Sequence, residues 1–233
     1  AVFSAGSTGA TLISAITILG KQRGVIRPAI ASVLPTIERS VILLDSGASL
    51  DVKPKVLYQF AVMGSKLAEA LFDIESPKIG LLNNGEEESK GRELEKSAFK
   101  LLNSSSLNFV GNVEGRDFAT NKVDVFVTDG FTGNVVLKTL EGTAKLQQSL
   151  ISASLKQNLF KPFLPSVKKA LKPVKDQLNP DKTNASYLLG VDGLVTIGHG
   201  SSKQEAIMNG IQYTNESINK DFIGKFSDAI KEL

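Results

Sequence analysis

Short apolar runs alternate with longer helical patterns along most of the chain, and this alternation constrains the fold more than any other feature. Residues 41–45 form a continuous apolar run that ends on a carboxylate, as expected for a strand that is buried on both faces. Residues 55–72 instead place Leu57, Phe60 and Leu67 on one side of a helix. The alternation of strands with helices predicts a layered α/β fold around a mostly parallel sheet.

These patterns account for residues 1–233 as one α/β domain. The predicted strands are residues 2–3, 28–35, 41–45, 78–83, 108–111, 123–129 and 193–199. The predicted helices are one that ends at residue 19, those over residues 55–72 and 90–102, and a last one from residue 203 onward. The first three residues read as the end of a buried strand, so we expect a further segment before them.

Residues 139–178 depart from the alternation and read as two helices joined at residues 160–165. In the second helix the apolar side chains share one face, and most of the lysines fall elsewhere. No acidic residue occurs between Glu141 and Asp176. The segment therefore predicts a helical hairpin that protrudes from the domain and carries an apolar, basic tip.

The tip of this hairpin has two interpretations that the sequence leaves open. Its apolar residues are Leu159, Phe160, Phe163 and Leu164. Inserted among lipid headgroups, they would bring the flanking lysines to an anionic membrane surface. Packed against a second subunit, the same side chains would form a dimer interface.

The composition excludes several kinds of chemistry. The chain has no cysteine, which removes disulfides, thiolate metal sites and a cysteine-linked acyl intermediate. Its single histidine, His199, excludes a metal site built from several histidines, and the sequence predicts no metal or cofactor. The net charge of +3 does not indicate a nucleic-acid-binding surface. No apolar run is long enough to span a bilayer.

Glycine and polar side chains follow six of the predicted strands. Open parallel sheets bind ligands beyond the carboxyl ends of their strands, so we expect these loops to meet on one rim. Their candidate substrate-binding residues are Ser4, Gly6, Ser7, Thr8, Gly9, Asp45, Glu86, Arg116, Asp129 and Thr132. Their candidate catalytic residues are Lys53, Lys90, His199, Asn83 and Asn134. A turn or a helix cap explains any one loop alone, but six together with cationic side chains favour a site.

The loop at residues 4–9 is the strongest candidate for binding an anion. Its glycines let the backbone approach a ligand, and the helix that follows points free N–H groups at it. The loop matches neither the dinucleotide-binding pattern G-x-G-x-x-G nor the P-loop pattern, which removes support for those two functions. Phosphate or a phosphate-bearing group is the predicted ligand.

Ten strings between residues 4 and 202 occur in an order that resembles the PlsX-type phosphate acyltransferases. They are SAGSTGA, the stretch from ILG to RPA, LPT, LLDSGAS, DVKP, QFAVMG, GLLNNGEEESKG, NFVGNVEGRD, TDGFTGNVVLK and LLGVDGLVTIGHGSS. Members of that family carry an additional N-terminal segment that these 233 residues lack.

The resemblance implies a fold, a reaction and partners. The fold would be a three-layer α/β/α Rossmann-like sheet, related to phosphotransacetylases and isocitrate-type dehydrogenases. The reaction would move a long-chain fatty acyl group from an acyl carrier protein thioester to inorganic phosphate, without a cofactor. A downstream glycerol-3-phosphate acyltransferase would use the acyl phosphate. The enzyme would be a homodimer, cytoplasmic and peripherally associated with the inner face of the cell membrane.

In this interpretation a phosphate oxygen attacks the thioester carbonyl directly. Phosphate is already anionic at neutral pH, so it needs orientation more than deprotonation. The turn at residues 7–9, with Lys53 and Lys90 nearby, would bind it. No G-x-S-x-G pattern is present to activate a serine nucleophile.

The remaining roles concern the oxyanion and the leaving group. Backbone N–H groups with Asn83 or Asn134 would stabilise the oxyanion. His199 would protonate the leaving thiolate or orient a neighbouring group, and its alternative is a strand-end residue that hydrogen-bonds a nearby loop.

Two other functions remain open from the sequence. A phosphotransacetylase performs the same chemistry but takes its acyl group from coenzyme A, and residue spacing does not reveal the donor. A noncatalytic membrane-associated scaffold for lipid synthesis is the alternative of a different class.

Overall fold

The computed structural model describes residues 1–155, 164–177, 186–198 and 202–219, together with residues 224 and 226. One eight-stranded sheet forms the centre of this part of the chain, and helices cover both of its faces. The predicted α/β class, a three-layer α/β/α fold with a mixed, mostly parallel sheet, is confirmed. Within these ranges no helix is long and apolar enough to cross a membrane.

The sheet has the strand order β1-β8-β7-β2-β3-β6-β4-β5. The strands are β1 (Val2–Ser4), β2 (Ala29–Leu34), β3 (Val41–Leu44), β4 (Ile79–Leu82), β5 (Phe109–Val113), β6 (Val125–Val127), β7 (Ser186–Leu189) and β8 (Val195–Ile197). The sequence patterns predict all of these strands except β7. That strand is only four residues long, and the paired strands on both sides bury it.

The antiparallel pairs in the sheet divide the strand ends between two rims. β2 pairs antiparallel with both β3 and β7, and β7 pairs antiparallel with β8. The carboxyl ends of β3, β4, β5, β6 and β7 therefore lie at one end of the sheet, here called the major rim. Those of β1, β2 and β8 lie at the other end, the minor rim. The prediction that six loops meet on one rim is wrong, because it assumed that all of these strands run in the same direction.

Helices form the two outer layers. They are α1 (Thr8–Ile18), α2 (Pro54–Phe72), α3 (Glu93–Asn103), α4 (Gly130–Leu155), α5 (Leu164–Gln177) and α6 (Gln204–Asn219). α2, α3 and α6 cover the sheet face on which Leu44 and Val125 are buried. α4 covers the opposite face, where Leu43 and Phe126 are buried, and α1 covers the same face beside Ile30. Alternate side chains of each strand thus enter different cores.

The segment predicted as a hairpin contains the helix α4 up to residue 155 and the helix α5 from residue 164, which is within the predicted connection at residues 160–165. α4 starts at Gly130 rather than at residue 139, because Asp129 caps it there. Residues 156–163, which connect α4 to α5, lie outside the described residues. The hairpin and its tip therefore stay predictions.

Candidate active site

The loops of the major rim meet where the chain switches between the two faces of the sheet. β6 lies between β3 and β4, and these three strands are parallel. The helices that follow β3 and β4 cover one face, whereas α4, which follows β6, covers the other. Loops that leave a sheet in opposite directions open a crevice beyond the strand ends, where open α/β sheets bind ligands. This crevice is the candidate site.

A buried carboxylate holds the loop that follows β3. Asp45 is fully buried, and its two oxygens accept hydrogen bonds of 2.7–3.1 Å from the N–H groups of Ile30, Gly47, Ala48 and Ser49. Burial raises the pKa of Asp45, and the four amide hydrogen bonds oppose that rise. Because both oxygens are occupied, Asp45 shapes the loop, and this placement gives no support to its predicted contact with substrate.

The first turn of α4 packs so tightly on this loop that only glycine fits. A Cβ atom on Gly133 would lie 1.9 Å from the carbonyl oxygen of Asp45. A Cβ atom on Gly130 would lie 2.7 Å from Asp45 Oδ2 and 2.8 Å from the carbonyl oxygen of Ser49. The N–H of Gly130 donates to that same Ser49 oxygen at 2.8 Å. These glycines therefore serve the close approach of two backbone segments.

Asp129 caps the N-terminus of α4. Its Oδ1 accepts from the Thr132 N–H at 2.8 Å, and its Oδ2 accepts from the Thr132 hydroxyl at 3.0 Å. Burial acts to raise the pKa of Asp129, but hydrogen bonds from Thr132 and Arg92 outweigh it, so the pKa lies below its ordinary value. The carboxylate therefore stays ionised at the positive end of the helix dipole.

Arg92 joins this cap to the N-terminus of α3. Its Nη2 donates to Asp129 Oδ2 and to Glu95 Oε1, and its Nε lies 3.0 and 3.2 Å from the two Glu95 oxygens. The backbone N–H of Arg92 also donates to Glu95 Oε2 at 2.7 Å. The side chains of Glu95 and Asp129 are only 8% and 3% exposed, whereas that of Arg92 is 59% exposed. One guanidinium thus crosses the crevice between helices on opposite faces.

The loop between β4 and α3 is held by Asn83 and two glycines. Asn83 Nδ2 donates to the carbonyl oxygen of Lys90 at 3.2 Å, and its Oδ1 accepts from the Asn84 N–H at 2.8 Å. Gly91 has a φ of +90°, and a Cβ atom there would lie 2.7 Å from Asn83 Oδ1. A Cβ atom on Gly85 would lie 2.8 Å from Lys90 Cγ. Asn83, predicted to be catalytic, therefore has both ends of its amide engaged in holding this turn.

Two exposed lysines bring positive charge to the major rim. Lys53 directly precedes α2, and Lys90 lies in the loop that precedes α3. Neither forms an ion pair with another residue of the described ranges. Asn134 is exposed near the N-terminus of α4, and a Cβ atom added to Gly47 would lie 3.6 Å from Asn134 Cβ. The crevice therefore offers an anion both positive charge and an amide donor.

Glu86 and Arg116 are engaged in surface ion pairs. Glu86 Oε1 lies 2.7 Å from Lys122 Nζ, and Arg116 pairs with Glu114 directly after the edge strand β5. Surface pairs of this kind contribute little to stability. Within the described ranges neither residue pairs with Arg92, Glu95 or Asp129, so their predicted substrate contacts stay predictions.

Residues 4–9, here called the α1 turn, lie on the minor rim. Ser4 Oγ lies 2.9 Å from Thr11 Oγ1, and the Ser7 side chain makes no capping hydrogen bond to α1. A Cβ atom on Gly9 would have no neighbour within 4 Å. The turn is exposed from residue 6 onward. A Cβ atom on Gly6 would lie 3.5 Å from Ser4 Oγ, which is an ordinary contact distance, so neither glycine is required by close packing.

The prediction that Lys53 and Lys90 lie near residues 7–9 is wrong, because these groups are on opposite rims. β2 runs between the rims, and its six residues span roughly 17–20 Å of extended chain. One phosphate ion is too small to contact both the turn at residues 7–9 and the two lysines. The α1 turn and the major-rim crevice are thus two separate candidates for anion binding.

Four predicted functional residues lie outside the described residues. They are His199, Leu159, Phe160 and Phe163. Leu164 is the first residue of α5. The proposed catalytic and membrane-contacting roles of this group therefore stay predictions.

The sequence patterns did not point to Arg92 and Glu95. A glutamate three residues after a helix-capping position is a known signal, but arginine is not among the usual capping residues. No local pattern indicates the bond from Arg92 to Asp129, because these residues are distant in sequence. The adjacency of β4 and β6 brings them together.

A family model described as fatty acid synthesis protein matches residues 1–225. A phosphate acyltransferase of Elusimicrobium minutum is 42% identical over 240 residues, covering 100% of this chain and 68% of the relative. One from Thermodesulfovibrio yellowstonii is 43% identical with the same two coverages. A Bacillus cereus relative of that name is 41% identical and is covered to 71%.

Solved phosphotransacetylases share the fold. The EutD phosphotransacetylase from Staphylococcus aureus matches 99% of this chain with a TM-score of 0.55 and 14% identity. A phosphotransacetylase from Streptococcus pyogenes matches 93% of the chain with a TM-score of 0.52 and 17% identity. This chain spans 62% of each of those structures. At such identities the likeness concerns the fold alone.

Proposed function

The chain belongs to the fatty acid synthesis protein family, whose curated relatives are phosphate acyltransferases, and we propose that it moves a long-chain acyl group from an acyl carrier protein thioester to inorganic phosphate. In this reaction the carbonyl carbon–sulfur bond breaks and a carbon–oxygen bond to phosphate forms. The thiolate leaves and takes up a proton. The product is an acyl phosphate, which a glycerol-3-phosphate acyltransferase consumes in phospholipid synthesis.

The observation that carries this proposal is the crevice at the major rim. Its walls are fixed by glycine packing between residues 129–134, here called the α4 turn, and the loop after β3. Lys53 and Lys90 are exposed beside it and unpaired within the described ranges. A rigid crevice with exposed lysines at its edge orients an anionic nucleophile without any need to deprotonate it.

In the proposed step, phosphate lies between Lys53 and Lys90 and attacks the thioester carbonyl directly. The absence of cysteine from the chain agrees with a mechanism that has no thiol-linked intermediate on the enzyme. Asn134, which is exposed, is a better oxyanion donor than Asn83, whose amide is hydrogen-bonded within the loop between β4 and α3. One such donor contributes about 3 kcal/mol to transition-state stabilisation.

His199 is the proposed source of the proton for the leaving thiolate, since it is the only histidine of the chain. Replacing it with alanine should lower turnover with acyl carrier protein thioesters. Thioesters with a better leaving group should recover part of the loss, because they need less protonation. An unchanged rate in His199→Ala at saturating phosphate would remove this role.

The test of the function is to incubate the intact protein with a long-chain acyl carrier protein and labelled phosphate, and to look for acyl phosphate. We expect product that depends on phosphate and exceeds the product obtained from acyl coenzyme A. Product mainly from acyl coenzyme A would support a phosphotransacetylase-like enzyme. No product from either donor with folded protein would support a noncatalytic membrane-associated scaffold.

We further propose that the chain acts as a homodimer at the anionic, cytoplasmic face of the membrane. Four exposed lysines of α5 support a surface for anionic lipid, and they are Lys168, Lys169, Lys172 and Lys175. Vesicle sedimentation of a Phe160→Glu, Phe163→Glu variant tests the hairpin tip. A dimer that no longer pellets with anionic vesicles supports membrane contact, and loss of the dimer supports an interface.

A further inference from the structure

We propose that Arg92 is a positioning residue that allows the crevice to accept a phosphate dianion. The inference rests on the proposed function, and it concerns two carboxylates of the crevice that would face an incoming phosphate. Arg92 contacts both of them, Glu95 and Asp129. It touches neither reacting atom in the proposed step.

Arg92 has an electrostatic role that follows from the burial of its partners. Glu95 and Asp129 are almost buried, so water screens their charges poorly. The pKa of Asp129 lies below its ordinary value, so that carboxylate remains charged at neutral pH. Two such charges repel an incoming phosphate. Arg92 cancels one of them, and among the described residues it is the cation that bonds both.

Arg92 also has a geometric role, because it joins two helix ends. Arg92 uses Nη2 for both carboxylates and Nε for Glu95 alone, which fixes the guanidinium plane. Since Glu95 caps α3 and Asp129 caps α4, the plane sets the distance between the two N-termini. Those ends carry the proposed phosphate lysine, Lys90, and the proposed oxyanion donor, Asn134.

The electrostatic and the geometric roles place different requirements on the side chain that replaces Arg92. A lysine keeps the charge of Arg92 but lacks the planar fork, so it cannot hold both carboxylates in one geometry. A glutamine removes the charge. Arg92→Gln combined with Glu95→Gln removes one charge of each sign and returns the crevice to its original net charge.

The experiment measures the affinity for inorganic phosphate by calorimetry and, separately, kcat and KM. We expect Arg92→Gln to weaken phosphate binding about tenfold or more. Arg92→Lys should keep phosphate binding within about threefold but lower kcat by about tenfold, since charge is retained and geometry is lost. The Arg92→Gln, Glu95→Gln pair should recover most of the phosphate affinity.

Arg39→Gln is the matched control. Arg39 also bonds a buried carboxylate, Asp124, but it precedes β3 on the minor rim. Its loss should lower the melting temperature and leave phosphate affinity unchanged. Circular dichroism establishes that each variant is folded.

Three results would overturn the role of Arg92. One is unchanged phosphate affinity in folded Arg92→Gln, with only its melting temperature lowered. Another is failure of the added Glu95→Gln change to restore affinity. The third is an equal loss of affinity in Arg39→Gln. Calorimetry needs no turnover, so normal phosphate binding without acyl transfer would count against the proposed function and not against Arg92.

Discussion

The α1 turn and the α4 turn have nearly the same sequence pattern but different surroundings. Each begins at the end of a strand and continues into the first residues of a helix. Each contains two glycines separated by two residues, the second of which is threonine. In the α4 turn, a Cβ atom on Gly133 would overlap the Asp45 carbonyl oxygen. In the α1 turn, a Cβ atom on Gly9 would meet nothing within 4 Å. The same pattern therefore serves close packing at one rim and an open turn at the other.

Charge separates the two turns as well. The first 20 residues, which include the α1 turn, contain no charged side chain. The α4 turn lies among Asp45, Asp129, Glu95 and Arg92, all of which are hydrogen-bonded. A turn with fixed geometry and balanced charge can distinguish one anion from another, whereas an open neutral turn offers mainly backbone N–H groups.

The largest difference between the two turns should be in the free energy of unfolding after one methyl group is added to each. Gly133→Ala forces backbone apart and should lower the free energy of unfolding by about 3 kcal/mol or more. Gly9→Ala should change it by about 1 kcal/mol or less, in the stabilising direction, because alanine suits the first turn of α1. Urea denaturation of both variants measures the difference. Equal effects would show that the packing at the α4 turn is not rigid.

The second contrast concerns the side chains that hold the turns. Asp45→Asn presents an NH₂ group to backbone donors and should cost about 2–3 kcal/mol of the free energy of unfolding. Ser4→Ala loses the half-buried bond to Thr11 and should cost about 0.5–1 kcal/mol. The same denaturation experiment measures both. If Asp45→Asn costs less than Ser4→Ala, the four amides around residue 45 find other hydrogen-bond acceptors.

The third contrast locates the phosphate. Lys90→Ala should raise KM for phosphate about tenfold, and Ser7→Ala about twofold, because only the lysine brings a formal charge. Lys100→Ala, which replaces an exposed lysine in the last turn of α3, is the matched control and should behave like the unmodified protein. Steady-state kinetics at varied phosphate measures all three. A larger effect of Ser7→Ala would move the phosphate site to the minor rim.

The smallest contrast is the acid response. The pKa of Asp129 is below its ordinary value in the folded protein, so its stabilising contribution is present above about pH 4 and is lost as pH falls through the folded pKa. As pH falls from 5 to 3, Asp129→Asn should therefore lose less stability than the unmodified protein, which acid denaturation at several pH values measures. Ser7→Ala in the neutral α1 turn should lose the same amount as the unmodified protein. Identical pH profiles for all three proteins would contradict the lowered pKa.

Local patterns predicted most of the elements because they depend on neighbours in sequence. The apolar run at residues 41–45 and the helical spacing at residues 55–72 correspond to β3 and α2 almost residue for residue. The start of α4 was predicted too late, since residues 130–138 are rich in glycine and β-branched side chains. There the cap by Asp129 and the packing on the β3 loop outweigh intrinsic propensity.

The candidate site was predicted only in part. Lys53, Lys90, Asn134 and the loops that carry them do lie on the major rim. The α1 turn was assigned to the same place because the direction of β2 leaves no trace in its sequence. A short buried strand is equally apolar whichever way it runs.

The sequence alone predicts the layered α/β class, the position of most strands and helices, and the family. Hydrophobic periodicity and the family's sequence motifs are local properties of the chain, so they can be read without the tertiary structure. The tertiary structure alone decided which loops share a rim, that Asp45 is enclosed by four amides, and that Arg92 bridges two helix ends. Those outcomes depend on strand direction and on contacts between residues far apart in sequence. Both are set by the packing of the whole sheet, which no single segment encodes.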